Sequence, residues 1–121
     1  MERIRVYVSG PISQGPQIEN VEKAMDLTHE LMDLGFHVQC PHLTVFLNMR
    51  KPRPWRDWID QDLSIIRHWA EAIFRLPGES RGADCEEDWA REHNIPVFTT
   101  VAALVEWRGE LIRAQEDSDE R

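Results

Sequence analysis

The stretch that most constrains this chain is residues 76–90, LPGESRGADCEEDWA. It follows the apolar run Ala72-Ile73-Phe74, which with Arg75 and Leu76 reads as a strand. Pro77-Gly78 breaks that strand, and the small polar run Ser80-Arg81-Gly82-Ala83 opens a helix carrying the adjacent glutamates Glu86 and Glu87. In an open α/β sheet, ligands settle outside the carboxyl ends of the strands, and backbone N–H groups at a helix start hold anions. At helical spacing Ala83, Glu86, Ala90 and His93 share one row with Trp89 beside it, while Asp84, Glu87, Asp88, Arg91 and Glu92 fall mostly on the other side. Glu86 is therefore the odd member of the less polar face. A carboxylate drawn inward is costly unless it is paired or used, so a partly buried ion pair and a functional carboxylate both account for it.

The alternation of patterns along the chain supplies the frame. Residues 3–9 (RIRVYVS) read as a strand with Ile4, Val6 and Val8 on one face and Tyr7 on the other. Residues 10–16 (GPISQGP) form the following loop, in which glycines and the Ser13 and Gln14 side chains suit a phosphate or ribose hydroxyls, although a plain βα loop has the same look. Residues 17–34 read as an amphipathic helix whose buried face follows Ile18, Val21, Met25, Thr28 or His29, and Met32, with Ala24 and Leu31 beside it. A second strand over 36–40 ends at Pro41-His42, placing His42 at a carboxyl end. Residues 43–54 give no clear pattern. Arg50, Lys51, Arg53 and Arg56 make a basic patch there, suited either to a phosphorylated ligand or to solvent.

Residues 55–69 read as a helix with the stripe Trp55, Trp58, Ile59, Ile66 and Trp69, interrupted by Asp62. An unpaired Asp amid tryptophans and isoleucines is improbable. A third strand over 72–76, a helix over 82–93, a fourth strand over 95–98 and a last helix from a Thr99 or Thr100 cap to about residue 114 complete the order βαβαβαβα. This order predicts an α/β domain with a parallel sheet, helices on both faces and right-handed crossovers; a flavodoxin-like or Rossmann-like sheet of strand order 2-1-3-4 is the expected form.

Composition bounds the rest. A chain of 121 residues, 41% hydrophobic and 30% charged, suits one globular domain with a modest core, over residues 1–115. Residues 116–121 read as an acidic, disordered tail. The net charge of −8 argues against a nucleic acid polymer as partner. No apolar stretch approaches a membrane span, and the opening MERIRVYVSGP alternates like a strand, unlike a signal-peptide core. Cys40 and Cys85 stand in no metal or redox spacing, and the histidines form neither HxH nor HExxH. A cytoplasmic protein with free thiols, no metal site and no cofactor is expected.

With Tyr7, Gly10, Asp62, Ser80, Gly82 and Glu86 in place, the chain resembles the nucleoside 2-deoxyribosyltransferase superfamily over roughly residues 4–100. The resemblance is carried by Ser9-Gly10-Pro11-Ile12, by Trp55 followed by Asp62-Leu63, and by Leu76-Pro77-Gly78 ahead of Ser80-Arg81-Gly82-Ala83, Glu86 and Ala90. It looks closest to a small branch that carries the same pieces, with a gap between LPG and SRGA shorter here by about two residues. The resemblance implies that Glu86 is the nucleophile on the anomeric carbon, that Tyr7 orients it, and that Asp62 contacts the base side and assists its departure. Together with the first loop and the carboxyl-end position of His42, this gives an expected substrate site of Ser9, Gly10, Pro11, Ile12, Ser13, His42, Ser80, Arg81 and Gly82, and the resemblance implies a homodimer whose sites are completed across the subunit boundary. Five tryptophans in so small a chain also suggest an interface, with Trp55, Trp58 or Trp107 near the contact.

Relatives that hydrolyse 2′-deoxynucleoside 5′-phosphates carry serine where the transferases carry aspartate, and this chain has Ser80 at that position. Those hydrolases also carry Ser and Arg in the first loop, where this chain has Pro11 and Ser13. The expectation is hydrolysis of the N-glycosidic bond of a nucleoside 5′-monophosphate through a covalent glycosyl-Glu intermediate. The alternatives are nucleoside deoxyribosyl transfer and a nucleotide-binding sensor without turnover. A phosphoribosyl hydrolase similar to the cytokinin-activating enzymes is disfavoured, because the run PGGxGTxxE is absent. Small-molecule nucleosides or nucleotides are the expected ligands.

Overall fold

A computed structural model describes residues 2–119. In chain order the elements are β1 (Arg5–Ser9), α1 (Gln17–Asp33), β2 (His37–Gln39), a 3₁₀ turn (Pro41–Leu43), α2 (Thr44–Arg50), α3 (Trp55–His68), β3 (Ala72–Arg75), α4 (Arg81–Glu92), β4 (Val97–Phe98) and α5 (Val101–Asp119). The four strands are all parallel and lie in the order β2-β1-β3-β4.

The side-chain alternation of β1 sorts the core into two layers. Ile4, Val6 and Val8 point to one face and pack with Leu27 and Leu31 of α1, Phe36 and Leu104 of α5. Tyr7 points to the other and packs with Ile66 of α3, Ile73 and Ala90 of α4. Thus α1 and α5 cover one face of the sheet, and α3 and α4 cover the other. The central pair β1 and β3 then forms the switch point at which crevices open in such sheets. Register places Ser9 beside Arg75 at the carboxyl edge.

Three segments differ from the pattern read in the sequence. The buried face of α1 is Val21, Ala24, Leu27 and Leu31, while Ile18 and Met32 are exposed. The small Ala24 lets α1 lie close to the sheet, and that approach selects the Ala24–Leu31 row over the neighbouring row of larger residues. Residues 43–50 are helical, as the end of the 3₁₀ turn and all of α2, and the Thr44 hydroxyl fastens the turn by donating to the Pro41 carbonyl at 2.7 Å. Thr100 caps α5, its Oγ1 accepting from Ala103 N–H at 3.1 Å. That helix passes residue 114 and runs to Asp119, so the expected disordered tail is helical over 116–119. Ala114, Gln115 and Glu116 are good helix formers, and no Gly or Pro follows to stop the helix. Residues 120 and 121 of that expected tail lie outside the described residues.

The loops after β1 and β3 are fitted into one another. A Cβ on Gly10 would lie 2.8 Å from Leu76 Cβ, and a Cβ on Gly78 would lie 2.8 Å from Pro11 Cγ. Gly78 also has φ +118, a conformation L side chains rarely adopt. Leu76 N–H donates to the Ser9 carbonyl at 2.7 Å and closes the junction. The carboxyl edge of the sheet is therefore a rigid floor.

Candidate active site

Glu86 enters the interior from the second turn of α4, which Ser80 starts. The Ser80 hydroxyl oxygen accepts from Ala83 N–H at 3.0 Å, an N-cap that sets where the helix begins. From that start Ala83, Glu86 and Ala90 form the buried row expected from the sequence. Glu87 lies outside it and meets Arg91 at 3.3 Å. His93, expected on the inner row, is exposed past the helix end and stacks on Trp89 with ring centroids 3.8 Å apart.

Glu86 is only 4% exposed and both of its oxygens are engaged. The Tyr7 hydroxyl donates to Oε2 at 2.5 Å and the Ser9 hydroxyl to Oε1 at 2.7 Å. Side chains alternate along a strand, so Tyr7 and Ser9, two positions apart on β1, reach the same carboxylate. Asp62, on the buried face of α3 with Ile59 and Ile66, comes close enough to interact electrostatically with both Tyr7 and Glu86.

Burial governs the titration of this cluster. It raises the Glu86 carboxyl above the usual carboxylate range; the Tyr7 hydroxyl pulls it down, Asp62 raises it further, and Ser9 and Arg75 oppose. Burial also raises Asp62, with Tyr7 and Glu86 opposing. Tyr7 is raised well above its ordinary value, first by burial and then by Glu86 and Asp62, so it remains a hydroxyl donor. Two carboxyl groups with elevated pKa values in one low-dielectric site share protons instead of ionising together.

Glu86 and Asp62 open on a cleft of about 360 Å³ at the carboxyl edge of β1 and β3. The first loop contributes Gly10, Ile12 and Ser13 to it, and the start of α4 contributes Ser80, Arg81 and Gly82. The opposite wall comes from α2, α3 and the loop between them, with Asn48, Arg53, Trp55 and Trp58. Asn48 ties that wall together, its Oδ1 accepting from Arg53 N–H and from Trp58 Nε1, both at 2.9 Å. The Arg81 guanidinium lies over the Trp55 ring, 4.2 Å from its centroid.

Three expected substrate residues sit elsewhere. Ser9 is fully buried behind Glu86 and spends its hydroxyl on it. Pro11 is buried against Gly78 at the loop junction. His42 is fully buried near the Gly10 and Pro11 backbone, its Nε2 without a hydrogen-bond partner. Burial lowers its pKa to about 4, so it is neutral at physiological pH. Of the basic patch, Arg53 alone lines the cleft, while Arg56 pairs with Asp60 along α3 at 3.1 Å. The cleft role of Asn48 carries no sequence signal, because it depends on how α2 packs against α3. Cys40 and Cys85 are free thiols. Among the described residues no group of three His, Cys, Asp or Glu side chains is placed to hold a metal ion, and no helix is long and apolar enough to cross a membrane.

A parallel four-stranded sheet with helices around it and a carboxylate-lined cleft at its carboxyl edge defines an α/β protein of the flavodoxin-like or Rossmann-like class. More narrowly, the chain belongs to the family described as domain of unknown function DUF4406, whose pattern matches residues 4–99. A solved structure with the same fold is a 2-deoxyribosyltransferase from the psychrotolerant bacterium Bacillus psychrosaccharolyticus. It is 24% identical, the match covers 77% of this chain and 69% of that one, and the TM-score is 0.53. No curated protein matches the chain in sequence.

Proposed function

We propose that this protein hydrolyses the N-glycosidic bond of a nucleoside 5′-monophosphate, with Glu86 as nucleophile. The observation that carries the reading is the buried Glu86 carboxylate, held through both oxygens by Tyr7 and Ser9 on the wall of a cleft it shares with Asp62. In the reacting form we assign the negative charge of the pair to Glu86, to which two hydroxyls donate, and the shared proton to Asp62. Glu86 attacks C1′, the C1′–O bond forms as the C1′–N bond breaks, and the bonding pair leaves with the base as Asp62 protonates it. Water then attacks C1′ and gives a proton back to Asp62, and Glu86 departs as the carboxylate.

The 5′-phosphate sits at the start of α4. There the Ser80 hydroxyl hydrogen, nearby N–H groups and Arg81 face it, with Ser13 across the cleft. In a chain of net charge −8, Arg53 and Arg81 on the cleft walls mark it as the place for an anion. Its volume falls within the range of pockets for drug-sized ligands, roughly 300–1,000 Å³.

Chromatography of a nucleoside and 5′-monophosphate panel for free base tests the reading, with monophosphates expected to be cleaved faster. Glu86→Ala should lose at least about a hundredfold in base release, and Glu87→Ala should remain near wild type. Ser80→Asp should remove the preference for monophosphates while sparing nucleosides. Equal loss in both glutamate variants, or none, sinks the assignment of Glu86.

The likeness in fold to a 2-deoxyribosyltransferase favours a second reading, transfer of the glycosyl group to another base. Added free base would then yield a new nucleoside in place of the free sugar. Binding in calorimetry without base release would instead point to a sensor.

The functional unit we propose is a homodimer. Trp58 is bonded to Asn48 and Trp107 packs on Phe98 with centroids 5.3 Å apart, so of the three tryptophans considered for the contact only Trp55 stays exposed. Apolar side chains are exposed along α1, at Ile18, Met25 and Met32, and more densely on and beside α2, at Leu43, Phe46, Leu47 and Met49, the patch we propose for the contact.

A further inference from the structure

Arg75 is the last residue of β3 and its side chain is only 11% exposed, an unusual position for an arginine at the edge of a sheet. One guanidinium reaches three separate pieces of backbone and helix. Its Nε donates to the Leu76 carbonyl at 3.0 Å and its Nη2 to the Gly78 carbonyl at 2.7 Å, fastening the turn that leaves the strand. Its Nη1 meets Asp84 Oδ1 at 2.8 Å and lies 4.0 Å from Glu87 Oε1, so the same group holds the outer side of α4.

Those three attachments surround Glu86. The turn that Arg75 fastens is the one jammed against Gly10 and Pro11, and the helix it holds is the one whose inner row carries Glu86. The planar fork of arginine suits this task, because its donors leave in fixed directions and set relative orientation as well as distance. We infer that Arg75, without touching substrate, is the positioning residue that aligns α4 on the turn and holds Glu86 as a carboxylate pointed into the cleft.

The inference rests on the reading of Glu86 as nucleophile. The groups that act on Glu86 are the Tyr7 and Ser9 hydroxyls from β1, which bond it, Asp62 from α3, and, through its charge from behind α4, Arg75 of β3. Tyr7 and Ser9 are neutral donors and Asp62 opposes ionisation, which leaves Arg75 as the cation acting on the nucleophile. Asp84 and Glu87 face Arg75 from α4 and partly neutralise it.

Carbon-13 NMR titration of the Glu86 carboxyl in the full chain, assigned by comparison with Glu86→Gln, reads this without any substrate. Arg75→Gln, which removes the charge, should raise the Glu86 midpoint by about half a pH unit or more. Arg75→Lys, which keeps the charge but loses the fork, should leave the midpoint near wild type. In base release, the acidic limb of the pH–rate profile should move up in Arg75→Gln only. Both variants should lose kcat about tenfold with KM little changed. An unmoved midpoint in folded Arg75→Gln, or equal movement in Gln and Lys, overturns the proposal, since a purely structural staple would change thermal stability alone. Should Arg75→Gln fail to fold, Asp84→Asn carries the test. Freed of its nearest neutralising partner, Arg75 pulls harder, so the Glu86 midpoint falls further than in Asp88→Asn, which removes a carboxylate equally near in sequence that does not pair with Arg75, and equal falls overturn the idea. A protein that titrates as expected yet releases no base overturns the proposed activity and leaves the hold of Arg75 on Glu86 standing.

Discussion

As the proposed nucleophile, Glu86 carries a stability cost that one substitution reveals. A carboxyl whose folded pKa lies above its unfolded value binds more protons folded than unfolded between those two values, so stability falls as pH rises through that window. Burial raises Glu86 in this way. The window therefore opens in the ordinary carboxylate range and closes at the raised value. Glu86→Gln keeps the shape and removes the titration, so it should be inactive yet more stable than wild type above the window, by roughly 1–3 kcal/mol, with the difference vanishing toward pH 4. Thermal unfolding followed across pH checks this; parallel curves for the two proteins would contradict it. The inward row of Glu86, the inward Asp62 and the opposite facing of Tyr7 were all readable from periodicity, because each depends only on the repeat of its own element. The bond from the Ser9 hydroxyl to Glu86 is not legible in this way. Nothing in the sequence says that the oxygen two positions past Tyr7 is used up by a glutamate 77 residues away.

At the scale of elements, the floor of the cleft depends on the absence of two side chains. Gly10→Ala would press a methyl to 2.8 Å of Leu76 Cβ, against a neighbour that its own N–H bond to Ser9 holds in place. A loss of about 1–3 kcal/mol is expected from such overpacking, together with slower base release, because the shift propagates to the turn before α4. Gly15→Ala, at φ +76 but with open space around it, should pay only for the backbone and leave turnover intact. Denaturant melts and rates on both variants separate the two, and equal effects would remove the case for an interlocked floor. The four strands and their parallel run were legible, because alternation of the two periods predicts them. The face of α1 and the helical state of residues 43–50 were not. Ile18, Met25 and Met32 form as good a stripe as the true one, and the choice is made by how closely Ala24 approaches the sheet.

For the molecule as a whole, the apolar surface left uncovered beside the cleft gives the assembly its test. Phe46 is 54% exposed, Leu47 59% and Met49 71%, more than isolated surface residues require. Light scattering at micromolar concentration should give twice the chain mass of 14.2 kDa, and Leu47→Glu should shift the protein to monomer. A monomeric wild type would count against the dimer.

The Arg81–Trp55 stack at the cleft mouth makes this protein its own optical probe. A guanidinium held 4.2 Å above an indole perturbs the ring's excited state, and a phosphate that recruits Arg81 would lift it away. Binding then becomes a change in Trp55 emission, isolated from the other indoles by subtracting the Trp55→Phe spectrum. Ligand occupancy can be followed in Glu86→Gln, the variant expected to bind without turnover, with no label.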